Sequence, residues 1–295
     1  MRHRAFMLLP FAAFALAGCE RDIDIELDNV EPKLVVEATI ENGEAPVVIL
    51  TRSLNYFSTL SLDQVLNNFV HGAAIDISTG TRTHRLKEYT FAVGPYNLSY
   101  YSTDSSNLAT AITGTLNTSY NLRIETEGRI YTATTTIPNI TKRIDSMWWR
   151  PNPRDSSEGK VQLMIRTTDP RGYGDYGRYW TRKNEEEFRP GRNSVFDDLV
   201  VDGTTYEIPV SPGVERGDQR VGWEERVFRR GDTITLKLAN IDKATFDFWR
   251  TMEYTYSTVG NPFSSPIKVL SNVKPDALGY FGGYASQYRT LIVPE

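Results

Sequence analysis

From Lys33 onward, apolar and polar residues alternate with a period of two, the signature of half-buried strands. KLVVEATIE and PVVILTRS flank Asn42-Gly43, AAIDIS and TRTHRLKEY flank Thr79-Gly80-Thr81, and YNLRIET and RIYTATTTI flank Glu127-Gly128. Each arrangement predicts a hairpin, because short glycine-containing connections match the twist of the strands they join. Ser61-Leu-Asp-Gln64 has the form of a capping box and predicts a short helix through Asn67. Pro138 stops the alternation. Six or so strands with tight turns predict an N-terminal β-sandwich over 33–139, of immunoglobulin or transthyretin type.

The second half, 140–295, is predicted to be β-rich with one helix. Its candidate strands are RIDSMWW, KVQLMIRT, GRYWTRK, TTYEIPV, EERVFRR and DTITLKLA, with GYFGGYASQYRTLIVP last. The helix is expected near 242–257, with Asp242 as N-cap and Gly260 just past its end. Thr245, Phe248, Trp249, Met252 and Tyr256 share one face, a stripe that reads as packing against a sheet. Gly279, Gly282 and Gly283 within the last strand point to a bulge or a close backbone approach. No internal repeat or low-complexity linker interrupts the chain, and a domain boundary is expected near Asn139.

The first eighteen residues follow neither period. Arg2, His3 and Arg4 precede an apolar run from Ala5 to Ala17, too short to span a bilayer, which needs about 20 residues. Residues 1–18 read as a secretion signal. Leu16-Ala17-Gly18-Cys19 resembles a bacterial lipobox, and Cys19 is the only cysteine in the chain. The resemblance implies a thioether-linked diacylglycerol on Cys19, palmitate-type acyl chains, and cleavage just before it. The mature protein then has no free thiol for a disulfide, a thiolate–zinc site or a cysteine nucleophile. Glu20, Asp22, Asp24 and Glu26 make the tether over 19–32 acidic. Acidic residues in this place resemble the export signal of surface lipoproteins in Bacteroidota, and a solvated leash is the alternative reading. Outer-membrane attachment is expected, facing outward or toward the periplasm.

The formal charge of −4 becomes −6 when Arg2 and Arg4 leave with the signal, which argues against a nucleic-acid partner. Signals for catalysis are thin. His71 and His84 are the only histidines after the signal, and they stand apart beside predicted strands. No G-x-S-x-G or H-E-x-x-H motif is present. Asp197 and Asp198 are neighbours and point to opposite faces of an extended chain, a poor arrangement for a paired acid and base. Two distant carboxylates would leave no sequence trace, so a hydrolase remains an alternative. Asp22-Ile-Asp24-Ile-Glu26 lacks the glycine and further ligands of a calcium loop, and no metal or cofactor is expected.

Gly172-Tyr-Gly174-Asp-Tyr-Gly177 formally matches the dinucleotide fingerprint, but it runs into strand-like R-Y-W-T-R-K rather than a helix. The same segment offers Tyr173, Tyr176 and Trp180 as candidate ligand or partner contacts, with sheet packing as the competing reading. Asp145-Ser146-Met147 and Asp232-Thr233-Ile234 resemble a short acceptor pattern for O-glycosylation at Ser146 and Thr233.

Toward the C-terminus stand Gly260-Asn-Pro-Phe263, Pro266, Val269, Asn272, Leu278-Gly-Tyr-Phe281 and Tyr284. They follow Phe196-Asp-Asp198, Val201-Asp-Gly203 and the helix in fixed order. With the lipobox and KLVVEATI, this order resembles a Bacteroidota lipoprotein family catalogued as domain of unknown function 4249. The resemblance covers nearly the whole chain. It implies an accessory role beside a TonB-dependent outer-membrane receptor, and it assigns no catalytic or ligand residues. Asn-Pro-Phe also has a purely structural reading as a helix stop. The other reading is a docking edge containing Phe263 and Phe281. The expectation is thus a non-enzymatic outer-membrane lipoprotein that partners a TonB-dependent transporter, its ligand unknown. A surface carbohydrate-active enzyme or hydrolase, or a structural envelope protein, are the alternatives.

Overall fold

The computed structural model describes residues 31–54, 68–94, 96–155, 157–215, 227–261, 263–265 and 267–295. Cys19 and the capping-box helix expected at Ser61–Asn67 lie outside the described residues. The three hairpin cues close as the alternation requires: β1 (Leu34–Glu41) with β2 (Val47–Arg52), β3 (Ala74–Thr79) with β4 (Arg82–Val93), and β6 (Thr118–Thr126) with β7 (Arg129–Ile137). One further strand, β5 (Tyr96–Thr103), pairs with β4 and β2.

The second half supplies β8 (Arg143–Pro151), β9 (Lys160–Thr168), β10 (Tyr176–Lys183), β11 (Arg189–Phe196) and β12 (Thr205–Val210). After them come β13 (Phe228–Arg229), β14 (Thr233–Ile241), the helix α1 (Lys243–Thr258) and β15 (Leu278–Ile292). Among the described residues the fold is mainly β, with a large sheet and an α-helix near the C-terminus.

An eleven-stranded sheet runs β11-β10-β14-β15-β1-β2-β5-β4-β3-β6-β7. β4 passes the sheet from one layer to the next: Arg82–Arg85 pair with β3, and Leu86–Val93 pair with β5. One core therefore fills with Val36, Ala38 and Ile40 of β1, Ile75 and Ile77 of β3, Leu122 and Ile124 of β6, and Phe281 of β15. A four-stranded sheet carries β8 on one edge of β9 and β12 and β13 on the other. Its Leu163 and Ile165 share a second core with Ile234, Leu236 and Leu238 of β14.

The boundary expected near Asn139 does not divide the sheets. β15 pairs in parallel with β1, from Val35 opposite Leu278 to Glu41 opposite Tyr284, and its second half pairs antiparallel with β14. Pro32–Glu295 forms one compact unit. The glycines of β15 permit this seam. A Cβ at Gly279, where φ is 90°, would collide with the Val36 carbonyl, and one at Gly283 would come within 2.7 Å of the Thr136 carbonyl oxygen.

Helix α1 lies over β15 and its neighbours. Asp242 is its N-cap, accepting from Thr245 N at 2.8 Å. Thr245, Phe246, Phe248 and Glu253 are buried, whereas Tyr256 is exposed, so the buried face is turned from the expected stripe toward Phe246 and Glu253.

Candidate functional site

Two loops at one end of the β9–β12 region are laced together by carboxylates. The first runs from Asp169 to Asp175, between β9 and β10; the second follows β11 and leads to β12. Asp202 Oδ1 accepts from Gly172 N at 2.6 Å, and Asp198 Oδ2 accepts from Gly174 N at 2.9 Å and Asp175 N at 3.0 Å. Gly172 and Gly174 have φ of 120° and 117°, a region open to glycine, and this is what turns successive N–H groups toward the second loop. Backbone bonds close the base, from Asp169 N to Thr204 O at 2.9 Å and from Gly203 N to Pro170 O. The second loop holds its own turn through Val201 N and Asp202 N, both donating to Asp198 O.

The apex of this pair is apolar and open. Tyr173 is 72% exposed, Leu199 68% and Val200 94%. Asp197 and Asp198 point apart, as their adjacency requires: Asp197 receives Arg250 of α1 at 3.2 Å, while Asp198 is buried beneath the loops.

Under the apex, Asp169, Asp175 and Asp198 each bring a carboxylate oxygen within 4.8 Å of the others. Among the described residues this is the group that could hold a metal ion. Thr141 Oγ1 fixes Asp175 through Oδ1 at 2.7 Å and itself accepts from Asn240 at 2.8 Å. Lys142 Nζ lies 2.8 Å from Asp169 Oδ1, and both side chains are buried. The contact is an ion pair without hydrogen-bond alignment, and neither oxygen of Asp169 accepts a hydrogen bond. Burial raises the Asp175 carboxyl above its ordinary value, with the charges of Asp169 and Asp198 adding to the rise and Thr141 and Lys142 opposing it.

The other face of the sheet is occupied by α1. Arg178 is buried there, with its guanidinium 3.4 Å from the Trp249 ring centroid and 4.7 Å from that of Trp180. It donates to Ser194 Oγ and to Tyr284 Oη, which also receives Trp249 Nε1 at 3.1 Å. The Glu253 carboxylate accepts from the Ser194 backbone N–H and from its hydroxyl. These bonds explain the buried glutamate on the helix, since a buried charge must be hydrogen-bonded.

The residues singled out in the sequence are therefore dispersed. Tyr173 stands at the loop apex. Tyr176 and Trp180 alternate along β10 on the helix side, half-buried, with Tyr176 4.7 Å from Phe246 and Trp180 5.6 Å from Tyr284 between ring centroids. Phe263 is 95% exposed beyond the helix. Phe281 is fully buried in the first core, so the expected docking edge containing both phenylalanines does not form. Its strand position points it inward, between Tyr280 and Gly282 on the opposite face. Ser146 is exposed at a register shift between β8 and β9, and Thr233 is half-buried at the start of β14. The Gly172–Gly177 motif enters β10 and opens no helix, which removes the nucleotide-binding context.

Sequence alone does not reveal the carboxylate group, because Asp198 joins Asp169 and Asp175 from a separate loop beyond β11. The visible signal was the glycine loop bounded by aspartates, D-P-R-G-Y-G-D, followed later by F-D-D-L-V-V-D-G.

No curated protein matches the chain. The family model described as a domain of unknown function (DUF4249) matches residues 20–290, and the chain belongs to that family.

Proposed function

We propose that this protein is an outer-membrane lipoprotein, anchored through Cys19, that acts as an accessory or ligand-binding partner of a TonB-dependent transporter. The partner contact is the apex formed by Tyr173, Leu199 and Val200. The observation that carries this reading is the exposure of three large apolar side chains on loops already cross-bonded by Asp198 and Asp202. Rigid presentation of apolar anchors lowers the ordering cost of binding, and aromatic residues are prominent among binding hot spots. The anchor rests on the lipobox-like Leu16-Ala17-Gly18-Cys19 and on the acidic residues that follow it in sequence. The accessory role that the family resemblance implies is the ground for this class of partner.

Recovery of the native protein from gently solubilised outer membranes tests this function. The expected result is a TonB-dependent receptor in stoichiometric amount. Recovery of the protein alone, from membranes that contain such receptors, would contradict it.

A further inference from the structure

We propose that Asp169, Asp175 and Asp198 bind a divalent cation, calcium in preference to magnesium, beneath the laced loops. The inference stands on the carboxylate geometry and does not depend on the partner proposed above.

Three observations carry it. First, two loops, one carrying Asp169 and Asp175 and the other Asp198, bring the three ligand oxygens within 4.8 Å of one another. A calcium ion, which sits about 2.4 Å from each oxygen, can bridge oxygens at that spacing. Second, the Asp169 side chain is 0% exposed, and neither of its oxygens accepts a hydrogen bond. The misaligned Lys142 contact at 2.8 Å is the ion pair that Asp169 has, and a buried carboxylate with no aligned hydrogen bond is costly, a cost that a bound cation would lower. Third, the charges do not balance. Lys142 offsets one of the three carboxylates and leaves two, which matches a divalent ion.

The bonds already present orient the site. Thr141 holds Asp175, and the Gly174 and Asp175 N–H groups hold Asp198. Each carboxylate still has lone pairs available to a metal. Hard oxygen donors exclude the nitrogen- and sulfur-rich chemistry of structural zinc. Calcium accepts irregular oxygen sets completed by water, whereas magnesium demands a near-ideal octahedron. The competing arrangement is Lys142 as the resident cation of the cluster, with no ion needed.

The test is calorimetric titration of the purified mature protein in mild detergent, first stripped with EDTA and then given CaCl2. The expected result is one calcium per chain and a melting temperature several degrees higher in millimolar calcium than in EDTA. Asp169→Asn should abolish the binding heat. If that variant fails to fold, Asp175→Asn provides the second test: an amide can still accept from Thr141, so the loop bond survives while affinity falls at least tenfold. Melting unaffected by EDTA, with no heat from calcium, magnesium or manganese, would overturn the site and leave Lys142 as its cation. Saturation by magnesium that excess calcium does not displace would overturn the calcium assignment. Equal calcium affinity in Asp175→Asn and the unaltered protein would overturn the ligand set. These readings need no partner, so their failure is distinct from failure to recover a receptor.

Discussion

Asp242 and Thr136 join the start of α1 to β7. Asp242 Oδ2 accepts from Thr136 N at 2.9 Å and from Thr135 Oγ1 at 2.8 Å, while Oδ1 caps the helix through Thr245 N. One carboxylate thus satisfies an orphan helix donor and ties the helix to the strand that closes the first core. Asp242→Ala should cost more than a surface cap, on the order of 2–3 kcal/mol, because charge-assisted bonds are lost with the cap. Urea unfolding measures it, and a loss below about 0.5 kcal/mol would show that water replaces the carboxylate.

Gly279 faces the Val36 carbonyl across the β1–β15 seam. Gly279→Ala combines a collision with a positive φ of 90° that side chains rarely adopt. A destabilisation above about 2 kcal/mol is expected, and the seam should open first. Amide exchange should show lost protection in β1 and the first half of β15. Unchanged protection there would mean that the strands can separate slightly without unpairing.

His84 is buried, and its Nε2 accepts the Asp104 N–H at 3.0 Å, which leaves Nδ1–H for Thr110 Oγ1 at 2.8 Å. Burial lowers its pKa, and the charge of Asp104 opposes the shift. The folded state therefore binds a proton less readily than the unfolded chain. Stability from this residue is full above the ordinary histidine value of about 6.5 and is lost as pH falls through the lower folded value. His84→Gln keeps an acceptor for Asp104 but cannot titrate. The variant should lose less stability than the unaltered protein between about pH 7 and pH 5. Parallel losses would mean that His84 takes up its proton equally in the folded and the unfolded chain.

Cys19→Ser should leave the fold intact and move the protein from the membrane fraction to the soluble one, since two or three acyl chains give stable attachment. Retention of the variant through alkaline washing would reveal another anchor.

Local chemistry made much of this fold legible. Glu127 and Gly128 both have positive φ, at 52° and 72°, which is what an E-G hairpin turn demands. Asp242 was readable as a cap because the helical pattern begins just after it. β11 was not readable, since Pro190 and Gly191 resemble loop residues. It forms the outer edge of the large sheet, where a missing N–H costs little. β5 carries no clear strand signal, because its polar and aromatic residues show no clean alternation. The parallel pairing of β1 with β15 joins the two ends of the unit, and nothing local encodes it. The carboxylates are likewise brought together by tertiary structure: Asp169 and Asp198 meet only once β9 and β11 have paired with their partners. Among the aromatic residues, side-chain type alone could not separate Tyr173 in the loop from Tyr176 and Trp180 under the helix.

The apex bears most directly on the proposed function. The measurement is receptor recovery by the anchored protein carrying Tyr173→Ala together with Val200→Ser, set beside its melting temperature. Both side chains face solvent, so melting should stay within about a degree of the unaltered protein. Recovery should fall at least roughly fivefold, the loss expected when contacts worth more than about 1 kcal/mol are removed. Full recovery of the receptor by this variant would contradict the apex as the contact surface.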